Sequence, residues 1–363
     1  MSSKRFFVTG GGTGGHIYPA VAVADVLQNY GEIFYVGNPN NLEYNVVKNK
    51  NYTFLPVISS GMPRKACFDL INWAFQMFLA WIKCCFYIAK YKPDAVFGTG
   101  GYVSAPVLAA AVLMKVPFVM HDCDANPGLV TRKLSPFAKS ISVAFDIEKE
   151  KLNNKNCFVN GNPIRKEFFT VTRQDAQKSL GLEDKLTICI MGGSQGAKSI
   201  NDASVKILKT LSERDIQVIF QTGKRNYESV IEQLNVLYPD FENDKNLIIK
   251  PYFDDMASVL KSGDIAVSRA GSLSISEICA CGVAAIYVPY PYAAADHQRK
   301  NAKYMADLGA GIYLENDDTT SESLLKLLIS LIEDKNRLND IRQKAYSMAK
   351  FDAVDKIVRQ IVG

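Results

Sequence analysis

One construction occurs twice in this chain, and it restricts the fold more than any other feature. "FFVTGGGTGG" at residues 6–15 and "ICIMGGSQGA" at 188–197 each run from an apolar strand through a glycine turn into a helix-like segment. A strand that ends on a Gly-rich turn and feeds a helix is the opening of a βαβ unit. Two openings imply two Rossmann-like domains, and 363 residues suit two domains of about 100–200 residues each.

The runs between the openings agree. "RFFVT", "EIFYV", "YTFLPV", "DAVFG", "PFVMH" and "SISVAF" read as strands in the first half, and "LTICIM", "IQVIFQ", "NLIIK", "DIAVS" and "AAIYVP" in the second. Most are continuously apolar, as parallel strands buried on both faces must be. Helical segments between them imply right-handed crossovers. The expected class is α/β, with two doubly wound parallel sheets joined at the Gly- and Pro-punctuated "VNGNPIR", residues 159–165. The expected domains are 1–162 and 163–344, with a C-terminal helix within 345–363 packing back on the first. Ligands of such sheets bind outside the carboxyl ends of the strands.

The first turn has the spacing Gly10-x-Gly12-x-x-Gly15, which raises the possibility of a nicotinamide cofactor. That reading needs an acid about 20 residues on to hold the ribose. Asn38 stands at that place and Glu43 comes too late. No Gly-Lys-Ser/Thr follows any glycine turn, so an ATP-hydrolysing P-loop is excluded. Any single turn could be purely structural. A third Gly-rich strand end, "GTGGYVSAP" at 98–106, argues that these loops hold a ligand. The eight cysteines contain no CxxC pair and have no histidine at ligand spacing, so neither metal nor cofactor is expected. Reduced thiols in the cytosol are the expectation, and "MSSKRFFVTG" enters a strand too soon for a signal peptide. A net charge of +5 without a basic tract does not fit nucleic-acid binding.

Polar groups concentrate in the second half. In "SRAGSLSISEICACG", residues 268–282, Gly271 and Ser272 suit a turn and Glu277 falls in the second turn of a helix. A carboxylate there can accept from both hydroxyls of a ribose, or simply be solvated. "VPYPYAAADHQRKNA" supplies Asp296, His297, Gln298 and Asn301 as sugar-hydroxyl partners, although Asp296 could equally cap the next helix. The three histidines, His16, His121 and His297, each follow a predicted strand. His16 opens a helix, where the positive end of the dipole favours the neutral imidazole, a form able to take a proton.

Taken in order, "GGTGGHIYPA", "KPDAVFGTGGYVSAP", "NPGLVTR", "GNPIR", "GGSQGAKSIN", "YFDDM", "SRAGSLSISEI" and "DHQRKNA" cover almost the whole chain. The chain resembles the MurG family, glycosyltransferase family 28. The resemblance implies a GT-B architecture, two Rossmann-like domains facing a cleft. It implies inverting, metal-independent transfer of N-acetylglucosamine from UDP-N-acetylglucosamine to lipid I, the undecaprenyl-pyrophosphoryl-muramyl-pentapeptide, in peptidoglycan synthesis. By the family pattern the backbone at Phe253 faces uracil, Glu277 the ribose, and Ser194, Ser272, Leu273 and Ser274 the diphosphate, with Arg165 nearby. Gln298 touches the ribose or sugar, and Thr13, Gly14 and Gly15 close on the donor. His16 faces the acceptor with Gly100, Gly101, Tyr102, Asp122 and Asn126. His16 is the expected base, with Asp122 and Asp124 as alternatives. One departure stands out: "HDCD" at 121–124 replaces the family's "HEQN". Asp124 therefore stands for an asparagine at the donor sugar, and a carboxylate cannot donate. A related transferase making a diacylglycerol glycolipid, or a silent sugar-nucleotide-binding protein, are the alternative readings.

"CFDLINWAFQMFLAWIKCCFYIAK", residues 67–90, carries Asp69, Asn72, Gln76, Lys83 and Lys90 as a narrow polar stripe on an apolar helix. The stripe makes it a poor transmembrane span. It reads either as a core helix or as an interfacial one exposing Ile71, Phe75, Phe78 and Trp81 to lipid, with Arg64, Lys65 and Lys83 at the headgroups. The family's acceptor favours the second, on the cytoplasmic face of the membrane.

Overall fold

The computed structural model describes residues 3–63, 68–146, 152–193, 195–293 and 296–363. The chain divides into unit 1, Met1–Arg165 with Lys350–Gly363, and unit 2, Lys166–Ala349. The sequence reading has these joins at 162–163 and 344–345.

In unit 1, β1 (Lys4–Thr9), β2 (Gly31–Gly37), β3 (Thr53–Pro56), β4 (Ala95–Gly98), β5 (Phe118–Asp122), β6 (Ser140–Val143) and β7 (Cys157–Val159) form a parallel sheet. Its strand order is β3-β2-β1-β4-β5-β6-β7. The crossovers carry α1 (Gly14–Leu27), α2 (Leu42–Val47), α3 (Phe68–Tyr91), α4 (Gly101–Leu113) and α5 (Leu129–Leu134). Successive strand side chains point to opposite faces, which makes two cores. Phe6, Val8 and Tyr35 pack against α1 on one face. Phe7, Phe34 and Val96 pack against α3 and α4 on the other.

Unit 2 begins with α6 (Glu167–Thr170) and α7 (Arg173–Leu180). Its strands are β8 (Thr187–Met191), β9 (Gln217–Gln221), β10 (Leu247–Lys250), β11 (Ile265–Ser268), β12 (Ala284–Tyr287) and β13 (Ile312–Tyr313). They pair in parallel in the order β10-β9-β8-β11-β12-β13. The helices are α8 (Lys198–Val205), α9 (Leu208–Ser212), α10 (Tyr227–Leu237), α11 (Met256–Ser262), α12 (Ser272–Cys281), α13 (His297–Asp307), α14 (Ser321–Glu333) and α15 (Lys335–Ser347). Asp264, just before β11, accepts from both terminal nitrogens of Arg173 and from Arg342, and so pins α7 and α15 to the sheet.

A last helix, α16 (Ala353–Val362), returns to unit 1. Ile357, Val358 and Ile361 complete the core behind α1.

Each sheet therefore reverses its strand order at one point, between β1 and β4 in unit 1 and between β8 and β11 in unit 2. A crevice at the carboxyl ends of these strands is where a doubly wound sheet takes its ligand. The glycine loops open there.

His121 departs from the sequence reading. It lies within β5 rather than after it, and is fully buried. Its Nε2–H donates to the Asn162 side-chain oxygen at 3.0 Å, which leaves Nδ1 to accept from the Ser142 hydroxyl at 3.0 Å. Burial lowers its pKa to about 4, outweighing the Asn162 hydrogen bond. Below the unfolded-state value of about 6.5 the unfolded chain takes a proton that the native state refuses. His121 thus contributes stability above that pH, lost as pH falls toward 4. The expected loss is about 3 kcal/mol from unit 1, at 1.36 kcal/mol per pKa unit. Denaturant unfolding of the wild type and of His121→Gln at several pH values measures it: the gap between the two should narrow as pH falls from 6.5 to 4.5. A constant gap would contradict a neutral buried His121.

Candidate functional site

In unit 1 the turn after β1 is packed from every side. A Cβ at Gly10 would lie 2.2 Å from Thr99 Oγ1 and 2.6 Å from the His16 carbonyl oxygen, so only glycine fits. Tyr35 donates its hydroxyl to the Gly10 carbonyl at 2.6 Å, and Thr99 donates to that of His16 at 2.7 Å. Gly12 adopts φ +85°. The helix N-terminus that follows has Thr13 at its N-cap, yet no side chain caps it and no acid stands in its first turn. The Gly14 and Gly15 amides therefore meet no capping side chain or first-turn acid among the described residues, and such amides suit an anion.

The structure brings His16 together with Gly100 and Gly101. Both glycines have positive φ, and a Cβ at Gly101 would stand 3.1 Å from His16 Cδ2. The imidazole therefore lies against bare backbone. Its Nδ1 is buried and has no hydrogen-bond partner among the described residues. A buried polar atom without a partner costs free energy and asks for an explanation, of which a ligand is one. Tyr102, on the first turn of α4, lays its ring over Gly12 and accepts from Asn41 at 3.3 Å. Burial, then Glu43, raises the Tyr102 pKa.

Asp122 ends β5 and is buried. Its two oxygens accept from the Gly128 N–H at 3.0 Å and the Asp124 N–H at 3.3 Å. It therefore shapes the 122–128 loop that carries half-buried Asp124 and Asn126. Burial raises the Asp122 pKa, and the hydrogen bond from the Gly128 N–H works against that rise. Arg165 lies in unit 1, with its guanidinium over the Tyr18 ring at 5.2 Å.

In unit 2 the loops after β8 and β9 touch backbone to backbone. A Cβ at Gly196 would fall 2.1 Å from the Thr222 carbonyl oxygen, and one at Gly223 the same distance from the Gly196 nitrogen. Ser194 lies outside the described residues. Gln221, which sequence reasoning missed, ties this turn to Phe253. Its Nε2 donates to the Gly193 carbonyl at 3.3 Å, and its Oε1 accepts from the Phe253 N–H at 2.9 Å. That leaves the Phe253 carbonyl as the backbone group able to meet a ligand.

The helix N-termini at this crevice are also bare. α8 and α12 have no side-chain cap and no first-turn acid. Elsewhere in unit 2 Thr172, Asp255, Thr320 and Asp334 cap α7, α11, α14 and α15, while α6, α9, α10 and α13 also lack a side-chain cap. Ser272 and Leu273 are buried at the start of α12, Ser274 is half-buried, and Glu277 stands half-buried one turn on. A second missed residue, Arg269, donates to the Val288, Pro289 and Asn316 oxygens and to Ser199. None of these partners is a carboxylate. Burial lowers its pKa to about 10. Its charge stands between β11 and α12, so it adds to the attraction for an anion.

Two of the polar candidates are spent on structure. Asn301 is fully buried and donates to the Ala270 carbonyl at 3.0 Å, which fixes the turn before α12. Asp296 occupies the N-cap position of α13 with φ 57° but caps nothing with its side chain, which accepts from Arg299. Gln298, half-buried in the first turn of α13, accepts the Tyr290 N–H at 3.0 Å through Oε1. Its amide nitrogen is the side chain's remaining donor group.

α3 exposes Ile71, Phe75, Phe78, Leu79, Ile82 and Phe86. Trp81 differs from the expectation: it is half-buried and packs against the core. Residues 69–91 are long and apolar enough to cross a bilayer. However, Ala80, Cys84 and Ile88 are built into the unit 1 core, which a span would have to abandon. Gln76 accepts from the Ser60 hydroxyl, so part of the polar stripe faces protein. Arg64 and Lys65 lie outside the described residues, and Lys83 is exposed.

Comparison with known proteins agrees with this geometry. The glycosyltransferase family 28 N-terminal domain matches residues 6–143 and the C-terminal domain residues 187–357. A UDP-N-acetylglucosamine–N-acetylmuramyl-(pentapeptide) pyrophosphoryl-undecaprenol N-acetylglucosamine transferase of Desulforamulus reducens is 35% identical over 361 residues, 98% of this chain and 97% of the relative. The transferase of the same name from Halothermothrix orenii is 38% identical over 353 residues, 95% of each. The crystal structure of Acinetobacter baumannii MurG superposes with a TM-score of 0.77 at 30% identity, covering 99% of both chains. The chain has the GT-B fold and belongs to glycosyltransferase family 28, as an N-acetylglucosaminyltransferase of the MurG family.

Proposed function

We propose that this chain transfers N-acetylglucosamine from UDP-N-acetylglucosamine to lipid I, giving lipid II. The observation that carries the reading is near-full-length identity to transferases of that name, joined to a bare helix N-terminus at each strand-order reversal. Unit 2 holds the donor. The Phe253 carbonyl accepts from uracil, and Glu277 accepts from the ribose hydroxyls. The amides of Ser272, Leu273 and Ser274 meet the diphosphate together with Ser194, and the amide nitrogen of Gln298 donates to a sugar or ribose hydroxyl. Unit 1 holds the acceptor, through His16, the Gly100–Tyr102 turn, Asp122 and Asn126. Thr13, Gly14 and Gly15 offer their amides to a ligand phosphate at the unit 1 turn, and Arg165 lies over the Tyr18 ring of the helix that follows.

In the reaction an acceptor hydroxyl attacks the anomeric carbon from the face opposite UDP. The new C–O bond forms as the bond to the diphosphate breaks, with inversion. His16 takes the hydroxyl proton, and UDP leaves with the bonding electron pair. Helix-terminal amides and the nearby Arg269 charge stabilise the negative charge that gathers on the diphosphate. Asp124 accepts from a sugar hydroxyl where the family's asparagine would offer both donor and acceptor.

Incubation with UDP-N-acetylglucosamine and a lipid I analogue tests the reading. Product is expected. UDP release only with diacylglycerol would favour a glycolipid synthase, and nucleotide binding without turnover a silent binder. His16→Ala should lower turnover by about 10²- to 10⁴-fold with UDP affinity unchanged. Glu277→Ala should weaken UDP itself, by about 1.5–3 kcal/mol for a lost charge-assisted pair. A His16→Ala enzyme within tenfold of wild type would move the base to Asp122 or Asp124.

The membrane part of the proposal rests on α3. Its exposed apolar face, with Lys83 beside it, suits the cytoplasmic surface of an anionic bilayer and brings unit 1 to a lipid-linked acceptor. Vesicle binding should rise with anionic lipid and fall with salt. Phe75 and Phe78 are 60% and 52% exposed, so serine at both should leave folding and UDP affinity intact. The doubly substituted protein should no longer float with vesicles; flotation equal to wild type would remove α3 from the membrane.

A further inference from the structure

Glu43 is the acid that the sequence places too late for a ribose, and the fold returns it to the glycine turn. It stands in the first turn of α2 and is fully buried. Its Oε2 accepts the Gly12 N–H at 3.3 Å, and its Oε1 accepts the Asn38 N–H at 3.1 Å. A Cβ at Gly11 would fall 2.7 Å from Oε1, so the turn is glycine partly to admit this carboxylate. On the other side of Gly12 lies the Tyr102 ring, held by Asn41 from the same turn before α2. No lysine or arginine pairs with Glu43 among the described residues. The carboxylate is held by backbone N–H groups, as a phosphate is in such a turn.

We propose that Glu43 is the built-in anion of the first glycine turn: a positioning residue that occupies the Gly12 amide, closes it to ligand phosphate, and holds the Thr13–His16 segment in place for transfer. The last part rests on the function proposed above. In a dinucleotide-binding sheet the turn after β1 approaches the ligand's pyrophosphate. Here a side chain fills part of that place permanently, so the turn needs no nucleotide to be ordered. The Thr13 carbonyl accepts from the His16 and Ile17 amides, so the segment fixed at Gly12 runs directly into the turn that orients His16.

Chemical rescue tests this. Glu43→Ala should lower turnover of the lipid I analogue by about 10- to 100-fold, the scale of a lost hydrogen bond to a charged group. UDP affinity, measured by calorimetry, should not change. Sodium formate should restore turnover saturably and raise the melting temperature of Glu43→Ala. Sodium chloride at equal ionic strength should do neither, and wild type should not respond. A formate response in neither rate nor melting temperature would overturn the proposal, as would UDP affinity falling in step with activity. Glu43→Gln keeps the side-chain volume but sets an NH₂ against one N–H donor. It should be slowed with UDP affinity intact, and wild-type turnover would overturn the proposal even if Glu43→Ala does not fold. If the wild type does not act on lipid I, the proposed reaction fails. The melting response of Glu43→Ala to formate then still decides whether the turn is an anion nest.

Discussion

Both glycine loops stand where a parallel sheet reverses its strand order, and the chain passes these points only where it carries no side chain. A Cβ at Gly10 would meet Thr99 and the His16 carbonyl, and Cβ atoms at Gly196 and Gly223 would meet opposing backbone. Such overlaps cannot be absorbed by a rotamer change, because the atoms they meet are mostly main chain. The tight passage sets the direction in which α1 and α8 leave their strands. It thereby aims their first amides across the carboxyl ends of the sheet. The position of His16 against Gly100–Gly101 follows from the same economy of side chains.

Much of this frame was legible in the sequence. The eleven apolar runs correspond to β1–β6 and β8–β12. The strands it did not reveal, β7 and β13, have three and two residues and lie at sheet edges. A run that short carries no periodicity to read. Within the site, the glycine turns, the start of α12 and the histidine opening α1 could be located because each is a local pattern. Gln221, Arg269 and Glu43 could not. Each acts on a backbone group far away in sequence, and nothing adjacent to them in the chain signals it. His121 and Asn301 mislead for the complementary reason: a polar residue among the last of a strand, or in the helix that follows a strand, looks alike whether its partner is a ligand or the protein.

The polar groups of the two units thus sort into those that are satisfied internally and those left open. Asp264 meets two arginines, His121 meets Ser142 and Asn162, and Asp122 meets two loop amides. Buried polar atoms in a folded protein are normally paired in this way. The starts of α1, α4, α8 and α12, each at the carboxyl end of a strand bordering the reversal, have neither a side-chain cap nor a first-turn acid, a property that α5, α9 and α13 share. Leaving such amides without side-chain caps forgoes about 1 kcal/mol apiece.

The return of α16 to unit 1 has a consequence for synthesis. A ribosome makes β1 to β7 first, then all of unit 2, and only then the helix that covers the back of α1. Until Ile357, Val358 and Ile361 emerge, the core on the α1 side of the first sheet lacks its last helix. Domains made in sequence ordinarily fold in the order they appear. Here the earlier one must wait, and unit 2 can complete its core while unit 1 is still open. In that interval the nascent chain offers both the bare back of α1 and the apolar outer face of α3 to chaperones.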